Sequence, residues 1–216
     1  MSKPALTLYL VRHGQTAWSR EYRFCGSGSD VPLAPEGIEM AEALAVFYRE
    51  EKWAAIFASP LIRARKTAVP MAQAAGLEVQ VADGLKEIAY GEWEGKMEAE
   101  IKARWPEEHR AWLSDPGRCA PPNGETGRQI ADRALAFVDE TRRTHPAGNV
   151  FAVSHKGTIR VLVCALLGLD LSEYRSRLGM PASAVTIFEF RDSGPFMRAF
   201  GDTSHVPAHL RHDLGM

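Results

Sequence analysis

Leu6-Thr7-Leu8-Tyr9-Leu10-Val11-Arg12-His13-Gly14-Gln15-Thr16 decides the reading of this chain. Residues 6 to 11 are an apolar, β-prone run that stops abruptly at Arg12-His13-Gly14. The polar residues therefore fall at the carboxyl end of a buried strand, where ligands bind in open α/β sheets. Gly14 permits a tight turn in which a side chain would clash. An arginine beside a histidine at such a point suits a phosphate. The guanidinium fork neutralises oxygens and the imidazole can attack phosphorus. So short a motif also occurs in ordinary surface turns, and its weight depends on the rest of the chain.

Beyond this run, Thr16 to Tyr22 predicts a short helix. Residues 24–31 predict a loop, with Gly26 and Gly28 able to let backbone amides approach an anion. Pro35 to Glu51 places Ile38, Ala41, Leu44, Ala45 and Tyr48 on one helical face, and Trp53 to Ala58 is a second strand. This β-α-β order implies parallel pairing with a right-handed crossover. Ser59-Pro60 then reads as a helix start, the serine as cap and the proline at the first helical position. Arg63 falls in the first turns of that helix, where the dipole favours an anion. Arg65 and Lys66 read as solvated surface.

A third strand, Leu77 to Ala82, leads to Glu87, a candidate general acid at the pocket edge. Lys96 to Pro122 is irregularly helical and reads as an excursion from the sheet, a lid spanning about 92–122. Asn123-Gly124-Glu125-Thr126 opens a helix reaching about Thr144. Asn149 to Val153 is almost wholly apolar and so predicts a central strand. It ends in Ser154-His155-Lys156-Gly157-Thr158, the third strand-to-helix turn with a polar payload, and a helix runs from there to Leu167. Residues 184–190 and 196–200 predict a closing hairpin.

The 216 residues suit one domain with a sizeable core. The formal net charge of -1 supplies no basic field for nucleic acid or a membrane surface. No apolar run reaches the length of a signal-peptide core or a membrane span. The three cysteines, Cys25, Cys119 and Cys164, lack zinc-type spacing, and a reducing cytoplasm is the simplest inference.

Arg12-His13-Gly14, Arg63 within Ser-Pro-Leu-x-Arg-Ala-x-x-Thr-Ala, Glu87, and Ser154-His155, in that order, resemble the histidine phosphatase superfamily, the phosphoglycerate-mutase-like group. The resemblance runs from about residue 6 to about 202. It implies a three-layer α/β/α sandwich with a mostly parallel sheet and a helical lid. It also implies His13 as a nucleophile forming a phosphohistidine, with Arg12, Arg63 and His155 around the phosphoryl oxygens. Glu87 would protonate the leaving oxygen. Thr16, Ser19, Cys25, Gly26, Lys156 and Gly157 would line the substrate site. Ser19 stands where many members have asparagine, and a serine can still donate one hydrogen bond. Family members use no metal or other cofactor for this chemistry, and a homodimer fits family habit. The Tyr90-Gly91-x-Trp93-Glu94-Gly95 run looks like the phosphatase branch.

The reading is therefore a metal-independent phosphomonoesterase acting on small phosphorylated metabolites. A phosphoglycerate mutase is the alternative. It is disfavoured because Ile88, not arginine, comes after Glu87, no Arg-Arg pair lies between 92 and 122, and the pocket is expected to lack extra cations. A non-catalytic phosphate-binding protein of the same fold is a further alternative. A metal-dependent hydrolase would have to use His205, His209 and His212, of which the first two are spaced i, i+4. His205 could instead approach the pocket.

Overall fold

The computed structural model describes residues 5–211. Six strands, β1 (Leu6–Arg12), β2 (Trp53–Ala58), β3 (Val79–Val81), β4 (Gly148–Ser154), β5 (Val185–Arg191) and β6 (Gly194–Asp202), form one sheet in the order β3-β2-β4-β1-β5-β6. The first four in that order are parallel, and β5 and β6 add an antiparallel edge. β1 and β2 are parallel, as expected, but they are not neighbours. β4 pairs with both and separates them. Val150 to Val153 are fully buried, so this strand must be covered on both faces and takes the middle.

The period-2 alternation of the strands divides the core. Leu6, Leu8 and Leu10, with Val150 and Ala152, pack under α6 (Gly127–Thr144) and α7 (Lys156–Leu167). Tyr9 and Val11, with Phe151 and Val153, pack under α2 (Pro35–Phe47) and α3 (Ile62–Ala75). This is the three-layer arrangement. The remaining helices are short: α1 (Ala17–Arg20), α4 (Glu98–Arg104), α5 (Pro106–Ser114) and α8 (Tyr174–Arg177). The 96–122 stretch resolves into α4 and α5, broken at Trp105 and restarted by Pro106 at a first helical position. Trp93, Ile101 and Trp112 give it a small core of its own.

Several element boundaries differ from expectation. α2 ends at Phe47, short of Glu51, and β3 keeps only three residues. α3 begins at Ile62 with Leu61 as N-cap, so Ser59 is not its cap and Pro60 is not helical. Asp30 caps the helix from the 24–31 loop instead, its Oδ1 accepting from Ile62 N at 2.6 Å.

Candidate active site

The carboxyl ends of β1, β4 and β2 lie side by side. His13 N donates to Ser154 O at 3.0 Å, and Ser59 N to Val153 O at 2.9 Å. The three polar turns therefore open on one edge of the sheet. Gly14 is required by a close approach: a methyl group there would lie 2.4 Å from the Gly37 carbonyl oxygen at the start of α2. Its N–H donates to Thr67 Oγ1 at 3.0 Å, which ties the turn to α3.

His13 is nearly buried, and its Nδ1 lies 2.7 Å from the Gly14 carbonyl oxygen. That nitrogen therefore carries the proton, and Nε2 carries the lone pair. Burial, then the charges of Arg63 and Arg12, hold the imidazolium pKa well below 6.5, so the ring is neutral. The His155 ring stands 5.0 Å away, centroid to centroid. Its Nδ1 accepts from Arg63 Nε at 3.2 Å. Its Nε2 lies 2.8 Å from Ser59 Oγ and donates to it. Burial and Arg63 keep this ring neutral too. Ser59, whose sequence context suggests a helix cap, instead fixes the second histidine.

A cavity of about 420 Å³ opens above His13, walled in part by Arg12, Thr16, Ser19, Cys25, Glu87, Lys156 and Gly157. Glu87 is buried against the start of α7. Its Oε1 accepts from Ile88 N and Thr158 N, and its Oε2 from Gly157 N at 3.1 Å. A helix N-terminus suits a carboxylate. A side chain at 157 would strike Glu87 at 2.7 Å, which explains the glycine. The Glu87 backbone is held as well, because Arg133 on α6 donates to the carbonyls of Gly84, Lys86 and Glu87.

Several expected phosphate contacts are used inside the protein. The Ser19 hydroxyl donates to Thr16 O at 2.8 Å within the α1 capping box. The Gly157 amide serves Glu87. Gly26 is not on the cavity wall: its N–H donates to Glu94 Oε2 at 2.9 Å. Gly28 N and Ser29 Oγ donate to the same carboxylate, so the anion held by the glycine loop is Glu94. Arg63 and His155 are fully buried, one layer behind His13 rather than around the cavity. Arg63 binds the carbonyls of Ser29, Gly26 and Cys25 as well as His155. Arg12 reaches the wall, and its Nη1 donates to Met180 O at 2.5 Å.

The histidine phosphatase superfamily, branch 1, matches residues 8–203. This chain belongs to that superfamily. It is 36% identical over 169 residues to phosphoserine phosphatase 1 of Hydrogenobacter thermophilus, 78% of this chain and 80% of that one. It is 36% identical over 201 residues to the bifunctional protein Rv2228c of Mycobacterium tuberculosis, 92% of this chain but 54% of that longer one. Among solved structures, Bacillus stearothermophilus YhfR superposes with a TM-score of 0.88 at 32% identity, covering 94% of this chain and 100% of that one. The protein is a phosphatase of this superfamily.

The expectation that the cavity of this histidine phosphatase lacks extra cations is overturned. Arg23, Arg160 and Arg175 join Lys156 on its wall. None of these arginines lies within 92–122, nor does any belong to the Arg142-Arg143 pair. The i, i+4 spacing of Lys156 and Arg160 is the signal that could find one. Cys25 is half-buried, and burial pushes its thiol up to about 11. His205 stays off the cavity, its Nε2 3.1 Å from Ser183 Oγ. Ser183 N in turn donates to His13 O. His209 pairs with Glu39, and His212 lies outside the described residues. Among the described residues, no three His, Cys, Asp or Glu side chains are grouped to hold a metal ion, and no helix is long and apolar enough to cross a membrane.

Proposed function

We propose that this protein hydrolyses small phosphomonoesters through a phosphohistidine on His13 Nε2, without a metal. The observation that carries this reading is the His13 ring itself. It is neutral, its Nδ1 is held by Gly14 O, and it lies beside Arg12 at the floor of a cavity whose wall carries Glu87. Phosphoryl transfer asks chiefly for in-line positioning and charge stabilisation. Nε2 attacks phosphorus. Arg12 faces the developing charge, and Arg63 and His155 hold the floor rigid behind it.

Glu87 gives its proton to the leaving ester oxygen, and its carboxylate then takes one from the water that attacks phosphohistidine. Oε2 accepts one backbone bond while Oε1 accepts two, which leaves Oε2 the freer oxygen to carry that proton. The wall cations mean that charge alone does not separate hydrolysis from a mutase reaction. Ile88 after Glu87 and the likeness to a phosphoserine phosphatase support hydrolysis.

The test is incubation of the purified protein with 3-phosphoglycerate and with an activated aryl phosphate, a chelator present, tracking free phosphate, 2-phosphoglycerate and acid-labile phosphate on the protein. Phosphate release with label on His13 is the expected result. Isomer formation would mean a mutase. Turnover abolished by the chelator would overturn the metal-free reading. Bound phosphate without turnover of either ester would mean a non-catalytic phosphate-binding protein.

A further inference from the structure

The segment that carries Glu87 is held more firmly than its lack of regular structure would suggest. Residues 86–90 belong to neither helix nor strand. Every carbonyl from Gly84 to Ala89 nevertheless accepts a hydrogen bond. Arg133 on α6 supplies three of these bonds. Its Nη1 donates to Gly84 O at 3.0 Å and to Lys86 O at 2.7 Å, and its Nη2 to Glu87 O at 3.2 Å. Leu85 O accepts from Ser154 Oγ, and Ile88 O from Ser27 N. Ala89 O accepts from Glu125 N at 2.9 Å.

Glu125 closes this clamp. Its carboxylate meets the Arg133 guanidinium at two points, Nε to Oε1 and Nη2 to Oε2, each at 3.1 Å. Its Oε2 also accepts from Ala89 N at 2.9 Å. All five N–H groups of Arg133 are thereby used, on one backbone segment and one carboxylate. A methyl group at Gly124 would lie 2.4 Å from the Ala89 carbonyl oxygen. Asn123-Gly124-Glu125-Thr126 is therefore shaped to this segment as well as to the start of α6. Neither Arg133 nor Glu125 lies on the wall of the His13 cavity.

We propose that Arg133, oriented by Glu125, is a positioning residue for the reaction: it fixes residues 84–89 so that the Glu87 carboxyl is aimed at the leaving oxygen. This rests on the reading of Glu87 as proton donor and adds the device that aims it. A planar fork of five donors suits the task, because three carbonyls and a carboxylate converge on one side chain. Its loss would leave those carbonyls without their donor and free the peptide units on either side of Glu87.

The test compares an alkyl phosphate with 4-nitrophenyl phosphate, whose leaving group needs no proton. Arg133→Gln should lower kcat on the alkyl ester by about 10- to 100-fold, the range for a misplaced catalytic group, with KM little changed. On the aryl ester the loss should be below about threefold. Added to Glu87→Gln, Arg133→Gln should cost less than about threefold on either ester, because residues that act as a unit are not additive. Glu125→Gln keeps an oxygen for Ala89 N and should lose less than Glu125→Ala. Equal losses on the two esters, or the same factor with and without the Glu87 carboxyl, would overturn the proposal. Should Arg133→Gln not fold, Glu125→Ala is read in the same way. If Glu87→Gln itself slows both esters alike, or neither ester is turned over, the proton-donor reading fails on its own. The clamp is then judged by the amide resonances of Gly157 and Thr158, which donate to the Glu87 carboxylate. They should move in Arg133→Gln, and unmoved resonances would be fatal.

Discussion

The floor and the wall of the cavity are built on opposite plans. Behind the floor, Arg63, His155 and Ser59 are fully buried, His155 bonding both of the others, and Arg63 also binds three loop carbonyls. On the wall, Lys156, Arg160 and Arg175 have no paired carboxylate among the described residues. Buried polar groups that satisfy one another rigidify a structure. Cations gathered on one wall without a paired carboxylate raise the local potential for an anion. Positioning and charge recognition are thus assigned to separate layers, and each layer can be broken separately.

The largest effect belongs to the nucleophile that joins the layers. His13→Ala should lower turnover by on the order of 10⁴-fold or more, as removal of a covalent nucleophile does elsewhere. A variant retaining most of its rate, or still trapping acid-labile phosphate, would remove His13 from the chemistry. Glu87→Gln comes next. An alkyl phosphate with a poor leaving group should slow by about 10²- to 10⁴-fold, and an activated aryl phosphate much less. Equal losses on both would deny Glu87 the acid role.

Removing Arg63 tests the floor. Arg63→Ala leaves the carbonyls of Cys25, Gly26 and Ser29 and the His155 Nδ1 without their donor. A fall in kcat of about 10²- to 10³-fold is expected, comparable with loss of one preorganised donor. Arg63→Lys should restore little, because an ammonium cannot reproduce the guanidinium fork. Full recovery by lysine would mean that charge rather than geometry matters there.

The smallest effect reads the wall. Burial first, then the charges of Arg12, Arg160 and Arg175, opposed by Glu87, lower the Lys156 ammonium to about 7. A lowered lysine is charged below that pH and neutral above it. Attraction for the phosphate ester should therefore weaken as Lys156 loses its charge between pH 6 and 8, raising KM several-fold, by about the value of one surface-facing charge contact. Lys156→Gln should flatten that rise. An identical KM profile in both proteins would detach Lys156 from recognition.

Most of the fold and the ends of the three key strands are legible along the chain. The run 6–11, the apolar 149–153 and the helical period of 35–51 encode burial locally. The turns at Arg12-His13 and Ser154-His155 advertise themselves by polarity where a buried strand stops. The place of β4 between β1 and β2 is only half legible, because pairing order depends on which strand most needs cover on both faces. Ser59 reads as a cap because local capping chemistry and a long-range bond to His155 use the same hydroxyl. Gly26 and Gly157 read as phosphate amides for the same reason. Glu94 and Glu87 take those N–H groups from 68 and 70 residues away.

Local pattern alone specifies an α/β class with parallel pairing and the histidine and arginine at the end of β1. Each is marked by a short-range signal in or at the end of a periodic element. The three layers and the role of Glu87 are implied by the family resemblance. The folded arrangement was needed to set Arg63 and His155 behind His13, to fill the glycine loop with Glu94, and to complete a cationic wall with Arg160 and Arg175. Those outcomes depend on which distant donors and acceptors meet in space, and hydrogen bonds and charges act over ångströms, not over sequence separation.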